Sequence, residues 1–232
     1  IEVIDEAINN ERQNSTKGYL LQIKAKLTNF IDKSKAQQIL LSGKSLNTSI
    51  LAPISGIRYD KIVSNMSQAK AVCEYISNNQ ISQNDYVIHT NAITSRLVFS
   101  PEADEFESSF QKVGQLIGFV STRPEKETNG RGPDNLWETD NKISYIIECK
   151  SGAVSDTISK DYCNQLGGAM RWFNSEYKHE SSPIPVMVHK SIIIDSQATA
   201  VQNMKVVTQE KLEQLKKSVN DFAIAASQNE NW

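Results

Sequence analysis

Residues 132–150 run Gly132-Pro133-Asp134-Asn135-Leu136-Trp137-Glu138-Thr139-Asp140-Asn141-Lys142-Ile143-Ser144-Tyr145-Ile146-Ile147-Glu148-Cys149-Lys150. A Gly-Pro turn opens the stretch, and two strand candidates follow, Asn135 to Thr139 and Ser144 to Cys149. The second carries the dense apolar run Tyr145-Ile146-Ile147 expected of a central strand buried on both faces. Asp134 then begins one strand and Glu148 nearly ends the next, so antiparallel pairing brings the two carboxylates side by side. Side chains alternate along a strand, so Glu148 and Lys150 share a face and Cys149 takes the other. Two carboxylates and an ammonium on one edge suit the hydrolysis of a phosphodiester. Oxygen ligands hold Mg²⁺ or Mn²⁺, and a lysine beside them orients or helps deprotonate water and offsets charge in the transition state.

Working outward, Asp104 to Leu116 places Phe106, Phe110, Val113 and Ile117 on one helical face. Acidic residues stand at the start of this leading helix, where the helix dipole favours them. Gly118 to Thr122 forms a short strand, and the polar segment Pro124 to Gly132, with Asn129-Gly130 and Gly132-Pro133, suggests a hairpin connection. Beyond Ser151-Gly152, Ile158, Tyr162, Gln165, Leu166, Ala169, Trp172 and Phe173 line one face of a helix reaching about Tyr177. Pro185 to Asp195 is expected as a strand, and Leu212, Leu215, Val219 and Phe222 mark a final helix. The order from residue 101 is α-β-β-β-α-β-α.

The first hundred residues are mainly helical in pattern. Leu20, Ile23, Leu27, Phe30 and Ile31 recur at helical spacing between Gly18 and Lys33, and Ala69, Val72, Cys73 and Ile76 repeat it. Leu41 to Tyr59 has no clear period and is expected to form connections. The division is therefore a helical region over 1–100, a candidate docking module, and a site-bearing α/β domain over 101–232.

Composition narrows the classes. The net charge is −2 and there are three scattered cysteines, which suggests neither a disulfide framework nor a zinc ribbon. No apolar run is long enough to cross a membrane and no signal peptide is evident, so the expectation is a soluble, cytoplasmic protein. With its start at Ile1 instead of Met, the chain is expected to be a fragment or a processed product. Charge is uneven along the chain: residues 1–100 hold 11 Lys and Arg against 8 Asp and Glu, while residues 101–150 hold 6 against 10. A local carboxylate excess is either a solvated face or a cation site.

Gly132-Pro133-Asp134 and Glu148-Cys149-Lys150, with thirteen residues between Asp134 and Glu148, resemble the PD-(D/E)XK signature of restriction-endonuclease-like nucleases. The element order over roughly 101–195 is similar to that superfamily's α-β-β-β-α-β core. The resemblance implies Asp134 and Glu148 as metal ligands, the Cys149 backbone carbonyl as a further ligand, and Lys150 as the catalytic lysine. It implies Mg²⁺ or Mn²⁺ as cofactor and DNA as substrate. Glu107 matches the acidic residue that many members add to the metal site, with Glu105 competing for that place. Gln165 resembles an auxiliary glutamine of some branches, but the tyrosine expected four residues later is Ala169. The strings GPDNLW, IIECKSGA and ISKDYCNQLGGAMRWF also resemble nuclease domains attached to bacterial antiviral defence helicases, which implies a helicase or other effector as partner.

Plainer readings stand beside these. An isolated Pro-Asp or E-x-K is usually a turn or a surface strand, and it is their joint occurrence that carries weight. Lys160 suits a solvated helix position, Trp172 and Phe173 suit a core, and His89, His179 and His189 have no mutual ligand spacing. The same fold also serves catalytically silent assembly or nucleic-acid-binding modules. An RNA nuclease is a third reading, with no RNA-recognition motif to favour it.

Overall fold

The computed structural model describes residues 2–53, 66–100, 102–128, 130–178 and 182–228. The elements in chain order are α1 (Glu2–Asn10), α2 (Asn14–Thr28), α3 (Lys33–Leu46), α4 (Gln68–Asn78), α5 (Gln83–Thr94), α6 (Ala103–Leu116), β1 (Val120–Thr122), α7 (Pro124–Glu127), β2 (Asn135–Glu138), β3 (Ile143–Cys149), α8 (Lys160–Tyr177), β4 (Ser182–Val188), β5 (Lys205–Val207) and α9 (Gln209–Ser227). Contacts divide the chain into two compact units, one of residues 1–60 with 124–131 and one of residues 61–123 with 132–232. The fold is α/β, with a helical N-terminal part and a mixed five-stranded sheet.

In the first unit α2 lies against α3, but through an unexpected face. Gly18, Ala25 and Thr28 are buried, while Ile23 and Leu27 are 48% and 39% exposed, and Phe30 and Ile31, in the turn after the helix, 82% and 78%. Small residues choose this face. A methyl group on Gly18 would stand 2.4 Å from Asn47 Cβ and 3.0 Å from the Gly43 carbonyl, so the two helices approach more closely than large side chains permit. The expected connection over Leu41 to Tyr59 begins later than the sequence suggests, because α3 continues to Leu46. Residues 54–59 lie outside the described residues, as do Asn129 of the Asn-Gly turn and His179.

The second unit is built on the sheet, in the order β1-β2-β3-β4-β5. β1, β2 and β3 pair antiparallel, and β3–β4 and β4–β5 pair parallel. A parallel neighbour demands a crossover, and α8 supplies it between β3 and β4. β1 and β2 pair as the two arms of a hairpin do, but the polar connection between them carries α7, whose first residue is Pro124, a position where the missing N–H costs nothing. One sheet face packs on α4, α5, α6 and α9 through Val72, Tyr86, Phe106, Phe110, Trp137, Ile147, Val188 and Leu212. Helices α4 and α5, grouped by the sequence with the N-terminal region, thus belong to the sheet's core.

β4 departs from its expected span of Pro185 to Asp195, starting at Ser182 and ending at Val188. Its prolines explain the start. Lys150 N–H bonds Val188 O while His189 N–H bonds Val207 O, so even-numbered residues turn their backbone to β3 and odd-numbered ones to the β5 side. Pro183 and Pro185 therefore point their missing N–H away from β3, on a stretch where β5 does not reach. The early end has a local cause. Ser191 N–H bonds His189 Nδ1 at 3.0 Å and Ile193 N–H bonds Ser191 Oγ at 3.1 Å, and such bonds draw the backbone out of the ladder. β5, which the sequence did not reveal, is only three residues long.

α6 ends in paired bonds, from Gly118 N–H to Gln115 O and from Phe119 N–H to Gly114 O, with Gly118 at φ +82°, the left-handed cap that favours glycine. A Cβ there would stand 2.2 Å from the Gln68 carbonyl oxygen. Gly118→Ala should therefore lose about 2 kcal/mol or more, from left-handed strain plus a backbone clash, read as a lower midpoint in thermal unfolding; an unchanged midpoint would contradict the packing of α4 on this turn.

Candidate active site at the end of the central strands

The site grows from the antiparallel pairing of β2 and β3. Asn135 faces Ile147 in the register, which leaves Asp134, one residue before β2, opposite the end of β3. Its side chain extends the ladder by one rung, since Asp134 Oδ2 accepts the Cys149 N–H at 2.7 Å. The N–H and C=O of a strand residue point to the same edge. The Cys149 carbonyl is thereby turned to the Asp134 side.

Alternation brings Glu148 and Lys150 to one face. Lys150 Nζ donates to Glu148 Oε2 at 2.9 Å and lies 3.5 Å from Asp134 Oδ2. Asp134 and Glu148 are buried, at 6% and 5% exposure. Carboxylates this dry need a cation or several donors. Burial works to lower the Lys150 pKa, but the Asp134 and Glu148 carboxylates override it, and the ammonium is held above the ordinary lysine value of 10.5. Lys150 is thus a fixed positive charge in this arrangement. Its Nζ also stands 5.7 Å from the centre of the Tyr162 ring, in the first turn of α8.

α6 delivers the third carboxylate. Glu107 is buried, and one of its oxygens lies within 4.8 Å of an Asp134 oxygen. Asn135, fully buried, ties β2 to this helix by donating from Nδ2 to the Glu107 backbone oxygen at 3.2 Å. The structure distinguishes Glu107 from its competitor. Glu105 is a surface residue paired with Arg96 at 3.7 Å. Cys149 turns its side chain the other way, into the core with Phe106 and Val188. Burial first, then the Asp134 and Glu107 charges, push its thiol well above the usual range, so its sulfur is packing and not a nucleophile.

Arg123, just after β1, was not singled out from the sequence. Its Nη2 donates to Glu107 Oε2 and, at 2.9 Å, to Asp104 Oδ1. No sequence spacing flags this residue, because the contact exists only once α6 lies beside β1. Gln165 is exposed on α8, and so is Lys160. Phe173 is buried and stacked on Tyr177 at 4.3 Å, whereas Trp172 is half-buried. His89 bonds the Tyr75 hydroxyl at 2.9 Å, and His189 is fully buried with Nδ1 turned to Ser191.

Asp134 and Glu107 bring carboxylate oxygens within 4.8 Å of each other, and oxygen donors of this kind are the chemistry that suits Mg²⁺ or Mn²⁺ and not a soft metal. No helix among the described residues is long and apolar enough to cross a membrane. Compared with protein-family models, curated proteins and solved structures, the chain finds no match.

Removing the ammonium takes away the cation that faces both buried carboxylates. Lys150→Met is expected to cost about 3 kcal/mol of stability in denaturant unfolding. A lysine whose folded pKa is raised contributes fully below its unfolded value and loses that contribution only as pH rises through the higher folded one. The deficit should therefore be equal at about pH 6 and about pH 9; a deficit that vanished by the higher pH would show that Lys150 is not held in its charged form.

Proposed function

We propose that the chain is a divalent-metal-dependent nuclease of the PD-(D/E)XK type that hydrolyses DNA phosphodiester bonds, its second unit corresponding to a restriction-endonuclease-like core. The observation that carries the reading is the convergence of Asp134, Glu148 and Lys150 where β2 starts and β3 ends. Asp134 and Glu148 lie within 3.5 Å and 2.9 Å of one ammonium, and Glu107 stands beside Asp134. A Pro-Asp and an E-x-K on unrelated surfaces would have had no reason to meet.

In this reading Asp134, Glu148, Glu107 and the Cys149 carbonyl hold Mg²⁺ or Mn²⁺. The cation supplies charge against that developing on the phosphate and makes an attacking water more acidic. Lys150 orients the water and offsets charge in the transition state as a fixed cation. Asp134 has a second task, since its bond to the Cys149 amide holds β3 in the register that aligns Glu148 with Lys150. Gln165, exposed on α8, is left to a contact with bound DNA. The resemblance to nuclease domains of bacterial antiviral defence helicases extends the proposal to a cytoplasmic setting in which a helicase or other effector delivers the DNA. Exposed Phe30, Ile31 and Leu51 on the first unit support a docking role for the N-terminal helices.

The test is cleavage of linear, supercoiled and single-stranded DNA with Mg²⁺, Mn²⁺ or EDTA, beside folded Lys150→Ala and Glu148→Gln proteins. Cleavage should require the metal and fall about a hundred-fold or more in either variant, and calorimetry should show weaker Mn²⁺ binding by Glu148→Gln. Wild-type protein that neither cleaves DNA nor binds metal would instead be a silent assembly module.

A further inference from the structure

Arg123 is held in a way that a purely structural ion pair does not require. It is 8% exposed, yet one nitrogen, Nη2, serves both Asp104 and Glu107. Its Nε is buried and has no hydrogen-bond partner among the described residues. An unmade bond on a buried cationic donor leaves its desolvation unrepaid, and guanidinium forks normally spend two donors side by side on one carboxylate. Here only the Nε half of that edge is unspent, since Nη2 carries both carboxylates. Asp104 is moreover a weak claimant, with its side chain 74% exposed, so this bond exchanges easily with solvent or with a better acceptor.

The place matters as much as the unused donor. Glu107 touches Arg123 and has an oxygen within 4.8 Å of an Asp134 oxygen, so one carboxylate links the guanidinium to the group at the end of β3. Lys150 stands on the Glu148 side of that group and Arg123 on the Glu107 side. A phosphodiester approaching Asp134 and Glu148 meets carboxylate charge, and beyond any metal its two non-bridging oxygens need a donor. A planar fork matches two such oxygens in a way that an ammonium does not.

We propose that Arg123 is a substrate-binding residue of this site, which presents its Nε edge to the non-bridging oxygens of a nucleic-acid phosphodiester when Glu107 is engaged by a divalent cation. The inference rests on the nuclease reading and deepens it. In the structure Arg123 is the counter-ion of Glu107. With the carboxylate otherwise engaged, the guanidinium stays beside it through its remaining donors and offers its Nε to the phosphate.

The experiment measures anisotropy of a fluorescein-labelled duplex in Ca²⁺, to avoid turnover, over a range of salt concentrations, for wild type, Arg123→Gln and Arg123→Lys, with Mn²⁺ binding followed by calorimetry without DNA. Arg123→Gln should bind DNA about ten-fold more weakly, and its log Kd against log salt should lose about one unit of slope, the signature of one phosphate contact. Arg123→Lys should keep the slope and still bind more weakly, because charge without the fork is not enough. Mn²⁺ affinity should not fall in either variant. Folded Arg123→Gln with the wild-type Kd and slope would overturn the proposal, as would a loss of Mn²⁺ affinity that accounts for the loss of DNA, since Arg123 would then act only by placing Glu107. Should the glutamine variant not fold, an unchanged Kd in the lysine variant overturns it equally. Wild-type protein that binds no Mn²⁺ removes the nuclease reading and this inference together, whereas metal-dependent wild-type cleavage with unaltered variants removes only the latter.

Discussion

The hydrogen bond from the Cys149 amide to Asp134 Oδ2, 2.7 Å long, joins the architecture of the second unit to its chemistry. It occupies the rung that a further residue of β2 would have filled, so a side chain completes the sheet where the backbone turns away. The same oxygen lies 3.5 Å from the Lys150 ammonium. One carboxylate therefore sets the β2–β3 register at its open end and fixes where the cation sits. A slip of one residue would turn Glu148 and Lys150 into the apolar core and Cys149 out of it. Burying the polar group in the correct register thus stabilises the strand pairing as well as the site.

Around that bond the unit has two kinds of wall. On one side α6 presses an aromatic stack onto the sheet, with Phe110 and Trp137 4.7 Å apart and Phe106 following Phe110 at 5.8 Å, and it carries Glu107 to the edge of the same layer. On the other, α8 starts at Ser159, whose hydroxyl caps the Tyr162 amide, and sets the Tyr162 ring near Lys150. Apolar packing fixes the positions of the helices, and the charged groups ride on them. The site's precision is for that reason a property of the core: Phe106 and Glu107 are neighbours in sequence, one held by aromatic contacts and the other turned to Arg123.

The cations have a matching division of labour. Lys150 bridges the two carboxylates of the strands, and Arg123 answers the one from the helix. Neither is solvated enough to behave as a surface charge, so each offsets the desolvation of its partners. This balance explains how an overall acidic chain can bring a cluster of carboxylates together in a dry place, and it leaves the bonding capacity of Arg123 only partly used.

The sequence by itself determined the elements that bear the chemistry. Periodicity marked α6, β3, α8 and α9, because each buries one face in a regular way. The two-residue alternation of β3 was enough to put Glu148 and Lys150 together and send Cys149 to the core, and the Gly-Pro turn placed Asp134 at the head of β2. What tertiary structure alone decided was which surfaces meet. The choice of Glu107 over Glu105 depends on the rotation of α6 against the sheet, and the reach of Arg123 depends on α6 lying beside β1; neither distance is local in sequence. β4 ended early because side-chain bonds at His189 and Ser191 captured its backbone, and three-residue β5 was too short to show a period. In the first unit the large apolar residues of α2 pointed to one face, but close approach at Gly18 and Gly43 selected another. Patterns record what a segment can bury, whereas packing decides what it does bury.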